Sequence, residues 1–191
     1  MAYPPSYYSE EELALLGFRS VGKDVRLSRK ASVYGADKIC IGNHVRIDDF
    51  CILSGRIEIG NYVHVNPFTG VYAGNAGVFL EDFANLASRI TIYAVSDDYS
   101  GDYMTSPLIP SELTNIRQAP VSIGRHVIIG TGSTLLPGVH IGEGCAIGAM
   151  SLVKNDCEPW GIYAGVPCRL IKPRNKKLLE FEPALVLNED E

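Results

Sequence analysis

From residue 123 the chain advances in six-residue steps, and this period constrains its fold more than any other feature. Five steps run unbroken: Ile123-Gly124-Arg125-His126-Val127-Ile128, Ile129-Gly130-Thr131-Gly132-Ser133-Thr134, Leu135-Leu136-Pro137-Gly138-Val139-His140, Ile141-Gly142-Glu143-Gly144-Cys145-Ala146 and Ile147-Gly148-Ala149-Met150-Ser151-Leu152. The first position is always Ile or Leu, and the fifth is always small (Val127, Ser133, Val139, Cys145, Ser151). The same beat runs earlier through Ile41-Gly42, Ile47-Asp48, Ile59-Gly60 and Val65-Asn66, and again at Leu80-Glu81, Leu86-Ala87 and Ile92. Such a step supplies a short flat strand and a corner. The aliphatic residue points inward, the small one fits where the chain tightens, and a neighbouring Gly or Asn accepts the unusual backbone angles. Three steps close one triangular turn, and turns stack at a strand spacing of about 4.8 Å. Stacking buries a continuous core that no single repeat could bury. A β-sandwich would instead show period two with turn signals every eight to twelve residues or so. The expected class is all-β, a parallel β-helix.

Two departures from the period set the organisation. Residues 97–120 break it with DDYSGDYMTSPLIPSELTNIRQAP, and an insertion of this length inside a compact domain is usually functional or disordered. Its Tyr99, Tyr103, Met104 and Leu108 suggest docking onto a neighbouring subunit. At the start, Ser9-Glu10-Glu11-Glu12 resembles a capping box, and Leu13, Leu15 and Leu16 before Gly17 complete a short helix. The expected division is a cap helix in 1–20, the β-helix in 21–173, and a C-terminal helix with an acidic tail in 174–191. Within the last segment, Asn175 to Phe181 reads as a short helix ended by Pro183.

Composition narrows the setting. The 191 residues suit one domain, and a formal charge of −5 gives no basic field for nucleic acid or anionic lipid. No apolar run reaches membrane-spanning length, and Met1 to Pro5 lacks the pattern of a signal peptide. The five cysteines (Cys40, Cys51, Cys145, Cys157, Cys168) are scattered without a C-x-x-C pair, which reads as reduced thiols in a cytoplasmic protein.

The repeat resembles the hexapeptide repeat of left-handed parallel β-helix proteins, and the left hand is implied by that resemblance. After the last step, Ala164-Gly165-Val166-Pro167-Cys168-Arg169-Leu170-Ile171-Lys172 resembles the segment that ends the β-helix in galactoside and xenobiotic acetyltransferases. The chain is also similar to the sugar O- and N-acetyltransferases of surface-polysaccharide (lipopolysaccharide, O-antigen) pathways. The resemblance implies a homotrimer with acetyl-CoA lying in a groove between neighbouring helices. Gly130, Thr131, Gly148 and Ala149 would leave room for the pantetheine arm, and Arg169 and Lys172 would meet the phosphates. Lys154 matches a position at which the relatives contact CoA.

Acyl transfer to a hydroxyl needs a group that takes its proton, and neutral histidine suits this near pH 7. In the galactoside-type relatives that histidine opens the loop after a strand like Ile90-Thr91-Ile92-Tyr93-Ala94-Val95; here the matching place reads Ser96-Asp97-Asp98-Tyr99. His44 and His126 occupy the fourth place of a step and His140 ends one, all three reading as structural or surface residues. His64 precedes a stretch, Gly70 to Gly77, that reads as irregular and falls where the relatives place acceptor-binding side chains. His64 is therefore the expected general base, with Asp97 or Asp98 orienting its ring or holding a sugar hydroxyl. Asn66, Asp98 and Tyr99 are the expected acceptor contacts. An amine acceptor would ask less of the base, since the amine is itself the nucleophile.

The reading is an acetyl-CoA-dependent acetyltransferase acting on a sugar, such as a nucleotide sugar or polysaccharide precursor, with no metal ligand set. A non-catalytic β-helix scaffold is the alternative from another class. A γ-carbonic-anhydrase-like metalloenzyme is a second, disfavoured because His64, His126 and His140 lack the spacing for zinc.

Overall fold

The computed structural model describes residues 6–186. Met1 to Pro5 and the acidic tail Asn188 to Glu191 lie outside the described residues.

The chain winds into a solenoid of parallel strands with three flat faces. The first face carries Ser20–Val21, Ile39–Ile41, Val121–Ile123 and His140–Ile141, joined by the far halves of two long strands, Ile52–Ile59 and Gly70–Leu80. The second carries Arg26–Leu27, Arg46–Ile47, His64–Val65, Asn85–Leu86, Ile128–Ile129, Ala146–Ile147 and Gly161–Ala164. The third carries Ser32–Tyr34, the near halves of the same long strands, Thr91–Tyr93, Thr134–Leu135 and Leu152–Val153.

The register explains the period. On the second face Leu27, Ile47, Val65, Leu86, Ile129, Ile147 and Tyr163 stack in one inward column, all buried. The fifth-place residues Val127, Ser133, Val139, Cys145 and Ser151 are buried too. Buried Ser133 and Ser151 each donate their hydroxyl to the Gly148 carbonyl (3.1 and 2.7 Å), so the tight corners leave no orphan hydroxyl. Every cysteine among the described residues is free. No helix among them is long and apolar enough to cross a membrane.

At the corners the backbone adopts positive φ in residues with side chains, a conformation that ordinary residues enter at a cost. Stacked rings offset it. His44, Tyr62, Phe83 and His126 (φ 56, 57, 61 and 59°) form one ladder with centroids 4.7, 5.1 and 4.9 Å apart. His126 is not the surface residue its place suggested: its side chain is only 8% exposed, beneath the C-terminal helix.

The irregular stretch Gly70 to Gly77 lies in the strand Gly70–Leu80, whose register against Ile52–Ile59 shifts where it turns the corner, with Gly74 and Gly77 at positive φ. Pro183 does not end a helix. Lys177–Phe181 is a 3₁₀ turn, and Pro183 sits in the first turn of Glu182–Val186, where its missing N–H costs nothing. The insertion is anchored at its base, because Val95–Ser96 pairs antiparallel with Arg117–Gln118.

At the N-terminus, helix Glu10–Leu15 has both halves of the capping box, Ser9 with Glu12, and buries Leu13 against the core.

Candidate active site

The edge between the second and third faces collects half of the residues singled out from sequence. Asp48, Asn66, Ala87, Gly130 and Gly148 follow one another down it, each donating its amide to the coil below: Asp48 to Val65, Asn66 to Leu86, Ala87 to Ile129, Gly130 to Ile147 and Gly148 to Tyr163. Gly130 and Gly148 are needed for this stacking itself. A Cβ on Gly130 would lie 2.5 Å from the amide nitrogen of Ala149, and one on Gly148 2.9 Å from the Ala164 Cβ. The room they leave is filled by the next coil, while exposed Thr131 and Ala149 present the outer surface. Thr131 Oγ1 donates to the Ser88 carbonyl at 2.6 Å, which ties Ser88 into the same edge.

His64 stands on the second face beside this edge, in register with Arg46 and Asn85. Its Nε2 lies 2.8 Å from Asp48 Oδ2, and Asn66 Nδ2 is 3.2 Å from its Nδ1. The same Asn66 amide donates to the Leu86 carbonyl at 2.8 Å, which fixes its orientation. Asp48 also accepts from Arg46 Nε (2.7 Å) and from the Tyr7 hydroxyl (3.2 Å). Burial pushes the Asp48 carboxyl up, but the hydrogen bonds from His64 and Arg46 outweigh it and hold it below the usual carboxylate range.

Asp97, Asp98 and Tyr99 lie beyond the far end of strand Thr91–Tyr93, across the third face from the edge that holds Ser88. The chain thus does not bring Asp97 or Asp98 to the His64 ring: its carboxylate partner is Asp48. Asp98 instead accepts from the Ser100 hydroxyl (2.6 Å), the Ser100 amide (2.8 Å) and Asn115 Nδ2 (3.2 Å), and these bonds lower its pKa. Asp97 is exposed, and Tyr99 is 93% exposed.

Lys154 is exposed just past Leu152–Val153. Arg169 and Lys172 stand on the exposed strand Arg169–Pro173, antiparallel to Gly161–Ala164 at the C-terminal end of the solenoid. A cavity of 470 Å³ lies elsewhere, on the first face between Cys40, Glu58, Phe79 and Arg125. Among the described residues no group of three or more His, Cys, Asp or Glu could hold a metal ion.

Sequence reasoning missed Asp48 and Ser88. Asp48 carried a signal, since it fills the corner place of a step where Asn66, Gly130 and Gly148 stand in other coils. Ser88 falls one residue past that place, and nothing in the period marks it.

The family described as Bacterial transferase hexapeptide (six repeats) matches residues 120–155. The dTDP-4-amino-4,6-dideoxy-D-glucose acyltransferase of Escherichia coli is 49% identical over 180 residues, covering 93% of both chains. Among solved structures, a serine-to-cysteine mutant of the N-acyltransferase AntD from Bacillus cereus, in complex with dTDP-4-amino-4,6-dideoxyglucose and coenzyme A, superposes with a TM-score of 0.94 at 48% identity, covering 97% of this chain and all of that one. The same enzyme in complex with dTDP and 3-hydroxybutyryl-CoA also gives 0.94 at 48% identity, covering 97% and 99%. With identity this high along nearly the whole length, the chain belongs to the hexapeptide-repeat acyltransferases, enzymes that move an acyl group from coenzyme A to a sugar.

Proposed function

We propose that this enzyme transfers the acyl group of an acyl-CoA to the amino group of a dTDP-linked 4-amino-4,6-dideoxy sugar. The observation that carries this reading is the carboxylate pair Asp97-Asp98 at the place where hydroxyl-acylating relatives open the loop with histidine. A hydroxyl must lose its proton as it attacks, which calls for a base near neutrality. An amine attacks with its own lone pair. Once the N–C bond forms, the nitrogen is cationic and far more acidic than a free ammonium, so a carboxylate suffices to take its proton. The C–S bond then breaks, and the sulfur leaves as the thiol of CoA.

In a site shared by two copies, Asp98 of one takes that proton, which ends on the leaving sulfur, and the Ser88 hydroxyl of the other donates to the developing oxyanion or to that sulfur. The comparisons support this pair. The Bacillus relative has been solved as variants at one serine and at one aspartate ten positions further on. In this chain Ser88 is the only serine followed by an aspartate at that separation, and the aspartate is Asp98. His64, with Asp48 and Asn66 on its two nitrogens, holds the edge together. CoA lies along Thr131, Ala149 and Gly165, with Arg169, Lys172 and Lys154 toward its phosphates; Asn66, Asp97 and Tyr99 flank the acceptor.

The working unit in this reading is a cytoplasmic homotrimer serving surface-polysaccharide synthesis. The exposed apolar side chains of the insertion, Leu108 at 90% among them, support docking between copies.

Thiol release from acetyl-CoA and 3-hydroxybutyryl-CoA, measured with dTDP-4-amino-4,6-dideoxyglucose and with its 4-hydroxy counterpart, tests the assignment. Turnover confined to the amine is expected. Equal turnover of the hydroxyl compound would overturn N-acylation.

A further inference from the structure

We infer that Arg89 is the residue that selects a nucleotide-linked acceptor, by gripping its diphosphate. The inference rests on the reading that the acceptor is a dTDP-sugar.

Arg26, Arg29, Arg46, Arg56 and Arg125 each pair with a carboxylate. Arg89 meets none among the described residues, although the chain as a whole carries a formal charge of −5. It is an exposed, uncompensated guanidinium, and its position is fixed rather than random. Its backbone sits in the left-handed corner conformation (φ 62°), and its amide donates to the Pro67 carbonyl at 3.0 Å. Its guanidinium lies 5.8 Å from the centroid of the Phe68 ring, which is itself stacked on Phe50 at 5.1 Å. An arginine laid on an aromatic face has already lost much of its rotamer freedom. Its planar fork of donors can then take two phosphate oxygens at little further ordering cost. Arg89 directly follows Ser88 and precedes strand Thr91–Tyr93, so an anion held here lies beside the edge that carries Ser88.

Both substrates carry a diphosphate, and position decides between them. Arg169 and Lys172 stand at the end of the solenoid, past the coil of Gly161–Ala164. The coil of Ser88 is separated from it by the coils of Ile128–Ile129 and Ala146–Ile147, which places the two ends three strand spacings apart, roughly 14 Å. A CoA laid along this edge with its phosphates at the far end brings its thioester, not its phosphates, to Ser88. The diphosphate at Arg89 is then the acceptor's.

The test uses the full chain and Arg89→Gln, which removes the charge but keeps a polar side chain at an exposed corner. Titration with dTDP and with CoA is measured separately, together with kinetics on the dTDP-linked amine. Loss of charged hydrogen bonds should weaken dTDP by roughly 10- to 100-fold and raise KM for the nucleotide-linked acceptor in parallel, with kcat within about twofold and CoA affinity unchanged. Arg89→Lys should recover only part of the loss, since a point charge lacks the fork. A loss confined to CoA would assign Arg89 to the donor and overturn the inference, as would unchanged affinity for both. Wild-type protein that fails to bind dTDP at all would instead overturn the nucleotide-sugar reading on which the inference rests.

Discussion

His64 Nε2 and Asp48 Oδ2 lie 2.8 Å apart on adjoining coils, with the carboxylate only 8% exposed and the ring 35% exposed. Asp48 is a buried anion compensated by His64 and Arg46, and its carboxyl is held below its ordinary range. A carboxyl whose native pKa is depressed stabilises the fold above its unfolded pKa of about 3.9, and that contribution is lost as pH falls through the native value. Asp48→Asn should therefore lower unfolding stability at pH 7 by about 1–3 kcal/mol. The gap between variant and wild type should close in the acid range below about pH 4. Urea midpoints across pH check this; a gap independent of pH would mean that charge is not what Asp48 contributes.

The same contact separates two roles for His64. With both ring nitrogens partnered, His64→Gln should lower kcat by less than about tenfold while costing stability, whereas a general base would cost roughly 10²-fold or more in turnover. Steady-state kinetics beside a thermal melt distinguishes them.

Asp98→Asn should reduce kcat by roughly 10²–10⁴-fold and leave CoA affinity unchanged, while Asp97→Asn stays within about tenfold. Because the bonds from Ser100 and Asn115 lower the Asp98 pKa, that carboxylate is ionised throughout the neutral range. The wild-type pH–rate profile should then rise with loss of the proton from the acceptor amine, with no further limb above the carboxylate range. An added acidic limb that disappears in His64→Gln would return the base to His64.

Gly130→Ala tests whether that glycine serves the fold or the ligand. A Cβ there would press on the backbone of Ala149 at 2.5 Å, and backbone cannot swing aside. The substitution should cost about 1–3 kcal/mol in the apo protein, lowering Tm by several degrees, before any CoA is added. A variant with wild-type Tm and weakened CoA would show that the glycine makes room for the ligand.

The solenoid was legible because a period enforced by packing repeats in every coil: Ile123, Ile129, Leu135, Ile141 and Ile147 are all buried. The site was legible only in part, because its partners are set by coil length. His64 pairs with Arg46 at three whole steps, as Ala146 does with Ile128, but Arg46 pairs with Arg26 and Asn85 with His64 at longer intervals. Counting in sixes slips phase across those longer coils; Asp48 and His64 lie on coils in exact step, so their contact was open to the count and was missed for want of stacking the two coils. The local partners of Asp98, Ser100 and Asn115, lie inside the insertion, where no period reaches. His126 was misread for a related reason, since the helix that covers it begins 56 residues later.

That covering helix gives the last prediction. Glu182 accepts from Arg125 at 2.8 Å and also meets His126, while Arg174 Nη1 donates to the carbonyls of His126 (2.9 Å), Gly144 (3.0 Å) and Cys145 (3.2 Å). Burial raises the Glu182 carboxyl, but the bonds from Arg125 and His126 prevail and lower it. Its contribution is therefore present above the unfolded glutamate pKa of about 4.3 and lost as pH falls through the native value. The two anchors differ in kind: Glu182 ties down the last helix, whereas Arg174 satisfies carbonyls of the solenoid itself. Glu182→Gln should speed amide exchange across 177–186 at neutral pH and leave the strands of the solenoid protected. Arg174→Ala removes the donor to the His126 and Gly144 carbonyls, while Cys145 keeps the Ile128 amide, and should lower global stability by about 1–3 kcal/mol. Uniform loss of protection in both variants would mean that the C-terminal segment and the solenoid unfold as one unit.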